Sequence, residues 1–378
     1  MQVQTSIYRV ADGWSTPLPA ALDDSRTLVL AFGARQFDGD LTPFDDLLRA
    51  FPRAVIAGCS TAGEMSGGEV LDDSVSVAVA RFEHTRLRVA AIEVSLPEES
   101  AAAGRQLAES LAGEGLRAVF LLSDGLAVNG TPLVAGLVEH LPADVSVTGG
   151  LAGDGSRFAH TWVLVDGKPR NGHVTAVGFY GDRLRVSRGC EGGWMDFGPE
   201  RRITRSSGNT LYELDGKPAL DLYKTYLGKL ASGLPGTALR FPLSIQRPHA
   251  TALVRTVLSI DEAGKSMTFA GDVPQESAAR LMFSIDDNLI SSAIASATDA
   301  MAGLSPSTPV LAVSVSGVGR RLVLGERIEE EVEPIMDSLP AGAAHVGFYS
   351  CGEISSTTGS PVTELHNQTM TITVFAES

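Results

Sequence analysis

Runs of consecutive apolar residues, each closed by small or polar ones, recur along the chain. Residues 27–33, 54–57, 118–122, 145–148, 310–316 and 346–349 show too little alternation for a strand with one wet face. They predict strands buried on both sides, as in sheets covered by helices. Residues 75–82 and 87–94 predict two more strands, with a hairpin around Glu83, His84 and Thr85. Asp166-Gly167 and Gly181-Asp182 give further hairpin signals. Apolar residues at helical spacing predict helices over 44–51, 99–112, 131–141, 219–227, 286–302 and 326–339. Thr131 followed by Pro132 reads as a capping hydroxyl with proline at the first helical position. The acidic run Glu329, Glu330 and Glu331 reads as a solvated face near a helix start.

Strands that alternate with helices, with added antiparallel pairs, predict an α/β fold. The expectation is two domains with mixed sheets flanked by helices, the strand ends sharing an inter-domain cleft. Residues 189–208 are rich in Gly, Arg and Ser and carry no period, so the boundary falls there: 26–200 and 201–378. Two stretches far apart match each other. Gly58-Cys59-Ser60-Thr61-Ala62-Gly63-Glu64 and Val346-Gly347-Phe348-Tyr349-Ser350-Cys351-Gly352-Glu353 each follow an apolar strand with a small-residue turn, a cysteine and Gly-Glu. A third stretch, 149–155, holds four glycines in seven residues, which frees the backbone to approach a ligand. Turns at Gly58, Cys59, Ser60 and Thr61, and at Gly149 and Gly150, offer backbone N–H donors to a carboxylate. Glu64, Asp154 and Glu353 could answer an ammonium group. The plainer reading is tight turns with capping acids.

Composition narrows the classes. At 378 residues the chain is long enough for two domains. A net charge of −15 with scattered Lys and Arg argues against nucleic acid; Arg201-Arg202 and Arg320-Arg321 read as solvated pairs. No apolar run approaches the roughly 20 residues of a membrane helix, and residues 1–14 lack a signal-peptide core, so no membrane insertion is expected. Three cysteines without a Cys-x-x-Cys pair predict neither a disulfide framework nor structural zinc; a cytoplasmic protein with reduced thiols is expected. Cys59 and Cys351 are either a thiol pair in one pocket or small buried hydrophobes. Nothing resembles a Gly-x-Ser-x-Gly elbow, a P-loop or a His-Glu-x-x-His motif, so the chain is not expected to be an enzyme. A thiol-dependent enzyme is the alternative from that class.

Four segments together resemble the FIST family of paired N- and C-terminal sensory domains. They are 58–64, 149–154, 211–227 with its Gly-Lys-Pro-Ala, and His366-Asn367-Gln368-Thr369. The resemblance covers about residues 26–376 and makes 26–200 and 201–378 its N- and C-terminal domains. It implies an intracellular sensor of a small, amino acid-like ligand, acting on a partner such as a histidine kinase, cyclase or phosphodiesterase. The ligand site it implies comprises Gly58, Cys59, Ser60, Thr61, Glu64, Gly149, Gly150, Asp154, Cys351, Glu353, His366 and Asn367. A subset of the family resembles haem-based nitric-oxide sensors. On that alternative one of His249, His366 or His84 would ligate haem iron.

Overall fold

The computed structural model describes residues 1–248, 250–304, 309–357, 360 and 362–378. Its main body is built from three units of like topology. The first holds β1 (Gln2–Arg9), β2 (Gly13–Trp14), β3 (Thr27–Ala34), α1 (Thr42–Ala50), β4 (Val55–Thr61), β5 (Glu64–Ser66), β6 (Glu69–Leu71) and β7 (Ser74–Arg81). The second holds β8 (Arg86–Glu93), α2 (Ser100–Leu111), β9 (Leu116–Ser123), α3 (Gly130–Glu139), β10 (Ser146–Leu151), β11 (Val163–Val165), β12 (Lys168–Arg170) and β13 (His173–Tyr180). The third opens with β14 (Leu184–Glu191) and is interrupted by an insertion. That insertion carries β15 (Met195–Ser207), β16 (Thr210–Leu214), β17 (Lys217–Pro218), α4 (Ala219–Leu227), β18 (Leu243–Gln246), β19 (Leu253–Arg255), β20 (Val257–Asp261), β21 (Ser266–Phe269) and β22 (Ala278–Phe283). The third unit resumes with α5 (Asp286–Met301), β23 (Val310–Gly317), α6 (Val318–Leu324), α7 (Glu329–Ser338), β24 (Ala344–Ser350), β25 (Gly352–Ser355), β26 (Glu364–His366) and β27 (Met370–Glu377).

Each unit pairs two parallel strands across a helical crossover: β3 with β4, β9 with β10, β23 with β24. A hairpin follows, and then a return strand antiparallel to the first. The hairpins do not stay in their own sheets. β5 pairs with β24, β11 with β4, and β25 with β10. The three sheets thus exchange hairpins in a ring. Equivalent backbone bonds mark the exchange: Ala62 N to Tyr349 O (2.8 Å), Gly153 N to Ser60 O (2.9 Å) and Cys351 N to Leu151 O (3.2 Å). Equivalent glycines mark it too. A Cβ on Gly58, Gly149 or Gly347 would lie 1.9, 1.8 or 2.4 Å from the carbonyl oxygen of Ala31, Leu121 or Ser314. Asp73, Gly172 and Gln368, each just before a return strand, all take positive φ (52°, 58° and 64°).

The strands are apolar throughout because both faces of each sheet are covered. Their inner faces meet in one central core, where Phe32 packs on Phe348 (ring centroids 4.6 Å apart), Phe179 on Phe375 (4.7 Å) and Phe82 on Phe179 (5.9 Å). These contacts tie all three sheets together, and full burial of each ring is worth about 2–3 kcal/mol. Helices cover the outer faces: Phe44 and Leu47 of α1, Leu107 of α2 with Leu133 and Leu137 of α3, and Val332 and Ile335 of α7. The insertion has its own sheet and its own core around Leu211, Leu220, Tyr223, Phe269 and Leu281. The fold is α/β with several mixed sheets flanked by helices, as expected. Among the described residues no helix is long and apolar enough to cross a membrane.

Five local expectations are corrected. The turns at 83–85 and 181–182 are not hairpins; β7 and β8 lie in different sheets, as do β13 and β14. The first turn is a junction whose amides of Glu83, His84 and Thr85 donate to the Glu377 carboxylate (2.7, 2.9 and 2.7 Å). The cap of α3 is Asn129, whose side chain accepts from Thr131 N (3.2 Å), while the Thr131 hydroxyl accepts from Asp272 N (3.0 Å). Arg320 and Glu331 are not solvated. Both are fully buried and paired at 2.6 Å, because each finds its opposite charge inside the fold.

Candidate functional site

A cleft of about 440 Å³ opens at the carboxyl ends of β3 and β4 and the start of α6. Its wall includes Arg35, Thr61, Gly63, Glu64, Asp72, Asp73, Asp154, Arg157, Arg240 and Arg321. A second hollow of about 390 Å³ shares Ser156, Arg240 and Leu322 with it and extends over Leu230 and Phe241 of the insertion. Strand ends, two loops and the insertion therefore border one continuous concavity.

The wall is held by short-range hydrogen bonds. Glu64 accepts from the Thr61 hydroxyl and from Ser74 N (3.2 Å) and Oγ (2.7 Å). Burial pushes its pKa up to about 7 against the pull of those bonds. Asp154 accepts from the amides of Phe158 (3.1 Å), Ala159 (2.7 Å) and His160 (3.0 Å), which folds the loop that carries Arg157. The backbone of Arg35 is fixed by Trp162, whose indole N–H donates to its carbonyl at 3.0 Å. Arg321 crosses the β4–β5 turn, donating to Ala62 O (2.5 Å) and pairing with Asp72 (2.6 Å). It can do so because position 63 is glycine. A Cβ there would lie 2.0 Å from the guanidinium, and its φ of +130° disfavours any side chain. Arg35, Arg157 and Arg240 differ from Arg321: among the described residues their guanidinium groups have no hydrogen-bond or ion-pair partner.

Of the expected site residues, Thr61, Glu64 and Asp154 line this cleft. Gly58, Gly149 and Gly150 lie within the strands, where they allow close approach of neighbouring chains. Ser60 is buried beside them, its hydroxyl accepting from Trp162 N (3.1 Å). Cys59 packs in the central core and Cys351 in the core under α2 and α3. Glu353 repeats the Glu64 arrangement, accepting from Ser350 Oγ (2.6 Å), Thr369 N (2.9 Å) and Thr369 Oγ1 (2.9 Å). Its pKa is likewise pushed up to about 7 by burial. Asn367 is closed in: it donates to Cys351 O (3.1 Å) and accepts from Thr256 N of the insertion (3.2 Å).

Burial raises the thiols of Cys59 and Cys351 well above the usual range, with a further push on Cys59 from Cys351. Neither thiol is therefore a ready nucleophile near neutral pH. His366 is buried with its Nε2 at 3.1 Å from Ser355 O, and burial followed by the nearby Arg255 charge pushes its pKa down to about 4. His84 sits exposed on the 83–85 junction, and His249 lies outside the described residues. Neither described histidine fits an axial haem ligand: one has its Nε2 already engaged, and the other faces solvent. Among the described residues no group of three or more His, Cys, Asp and Glu could hold a metal ion.

Sequence reasoning missed the arginines. Arg35, Arg157 and Arg240 are single residues on separate segments, and nothing local marks them as neighbours. Only Arg321 carried a signal: it follows an apolar strand and the small-residue turn Ser316-Gly317-Val318-Gly319, where α/β folds place ligands.

No curated protein matches the chain. The FIST N domain matches residues 27–217 and the FIST C domain matches residues 219–356. The cleft draws Arg35, Thr61, Glu64 and Arg157 from the first segment and Arg240 and Arg321 from the second. These matches span most of the chain, which belongs to the FIST family, whose domains are associated with sensory signal transduction.

Proposed function

We propose that this protein is an intracellular sensor that binds a small, amino acid-like anion in the cleft. On this reading it signals to a partner such as a histidine kinase or a cyclic-dinucleotide cyclase or phosphodiesterase. The observation that carries the reading is the set of three partnerless guanidinium groups, Arg35, Arg157 and Arg240, around a concavity at strand ends. Unpaired guanidinium groups around a concave site favour a carboxylate. Asp72 and Asp73, on the same wall, each engage one oxygen with Arg321 or Gln36 and leave the other to an ammonium group. Binding without chemistry fits the buried, proton-holding thiols.

A route for the signal is available. Arg321, in the cleft, adjoins Arg320 on α6. Arg320 donates to Gly192 O, just before the insertion, and to Leu289 O (2.8 Å), just after it. A ligand that favours one position of α6 would bias the insertion against the main body, and a partner would read that arrangement. A thermal-shift screen of the amino acids and related carboxylates tests the reading, since a ligand that binds only the folded state raises the melting temperature by mass action. A rise with a carboxylate ligand, abolished in an Arg35→Ala, Arg240→Ala double variant, is expected. A flat response across the whole set would overturn it.

A further inference from the structure

The charges in the cleft are unevenly paired, and the unevenness narrows the ligand. Four carboxylates border it, and each is already engaged. Asp154 holds three loop amides, Glu64 is bonded by Thr61 and Ser74, Asp72 is paired with Arg321, and Asp73 accepts from Gln36 Nε2 (2.6 Å). Among the described residues only Arg321 of the four arginines is matched. Arg35, Arg157 and Arg240 keep three positive charges facing one space. One carboxylate can engage one guanidinium fork, or two through single bonds, so a monoanion leaves at least one like-charged neighbour unanswered.

The three arginines also come from three parts of the chain. Arg35 directly follows β3 of the first unit, Arg157 lies on a loop of the second, and Arg240 closes a turn of the insertion. A ligand with two negative ends could join all three. Arg240 borders both hollows, so an elongated ligand would meet it midway. Resting on the sensor reading above, we infer that the ligand is a dianion: an acidic amino acid, or an amine-bearing phosphate monoester that offers the same charges. Neutral amino acids are held less tightly and basic ones rejected, because the first leave guanidinium groups without a partner and the second add a like charge beside them.

Titration calorimetry of the full chain with L-glutamate, O-phospho-L-serine, L-glutamine and L-lysine tests this. At least one of the two dianions is expected to bind tenfold or more tightly than L-glutamine, and L-lysine not at all. Which of the two binds more tightly distinguishes the dicarboxylate from the phosphate source. Arg240→Gln changes an exposed side chain, so the unliganded melting temperature should stay put. Removing its charge-assisted bond should weaken the dianion about tenfold to a hundredfold and so narrow its margin over L-glutamine. Equal binding of L-glutamate, O-phospho-L-serine and L-glutamine, unaffected by Arg240→Gln, would overturn the dianion inference and leave the sensor reading standing. No binding by any amino acid, carboxylate or phosphate would overturn both.

Discussion

The turns around Glu64 and Glu353 are built alike and serve differently. Each ends a central strand with a hydroxyl residue, Thr61 or Ser350, that donates to a buried glutamate three positions on. Each glutamate also accepts from a residue at the start of its return strand, Ser74 opening β7 or Thr369 just before β27. The residue before that is Asp73 or Gln368, both with positive φ. The difference lies in what covers them. Over the Glu353 turn, Asn367 and Gln368 are bonded to Thr256 of the insertion, Gln368 through its Nε2 at 2.8 Å. At the equivalent places in the first unit, Asp72 and Asp73 face the open cleft. A repeated local motif therefore specifies a scaffold, and a distant segment decides whether that scaffold becomes a site or is closed.

The adjacent arginines of α6 give the widest test of this contrast. Arg320→Ala strands the fully buried Glu331 and should cost about 3–5 kcal/mol in chemical denaturation. Arg321→Ala, on the cleft side, should cost about 1 kcal/mol or less. Equal losses would dissolve the distinction between closed and open sides.

The two glutamates should next be alike in acid and alkali. Both hold a folded-state pKa of about 7, above an unfolded value of about 4.5. The folded state thus keeps a proton that the unfolded chain has lost. This stabilisation is complete below about pH 4.5 and fades as pH rises through 7. Over that window each site should contribute on the order of 3 kcal/mol of pH dependence. Glu64→Gln or Glu353→Gln should each flatten the stability profile measured between pH 4.5 and 7. A bound anion should raise the midpoint of Glu64, which borders the cleft, and leave that of Glu353 in place, as followed by carboxyl carbon resonances.

Alanine at the paired glycines should separate the turns again, more gently. Gly63→Ala meets Arg321 at 2.0 Å with a positive φ, whereas Gly352→Ala meets the side chains of Asn367 and Leu365 at 3.0 Å and the His366 carbonyl oxygen at an ordinary 3.4 Å. Thermal melts should show Gly63→Ala losing about 1–3 kcal/mol, and Gly352→Ala less. Smallest of all, Arg35→Ala should leave stability within about 0.5 kcal/mol, since its side chain holds nothing in place.

Much of this scaffold was legible in the chain. Double-sided burial wrote the central strands as plain apolar runs, and the twin Gly-Glu turns stood out because two small side chains flank each carboxylate. The kinship of the second unit with the other two escaped notice. Where the twins have Thr61 or Ser350, the second unit carries Leu151-Ala152-Gly153-Asp154, and a loop separates this from its hairpin. Turn residues at 83–85 and 181–182 announced a reversal of direction but could not announce a change of sheet. The burial of Arg320 depends on Glu331, Gly192 and Leu289, none of them a sequence neighbour. The cleft was legible only at Thr61, Glu64 and Asp154, because its cations converge through tertiary packing alone.

The ring of exchanged hairpins has a consequence for how the molecule is made. A ribosome completes β5 early, yet Ser66 finds its partner Val346 only about 280 residues later. At a synthesis rate of about 5–20 residues per second, that edge stays unpaired for tens of seconds. During that time the nascent first unit exposes apolar faces that only the last strands can cover. Newly made chains should depend on holding chaperones, and truncation before residue 344 should yield insoluble protein, not a smaller working sensor.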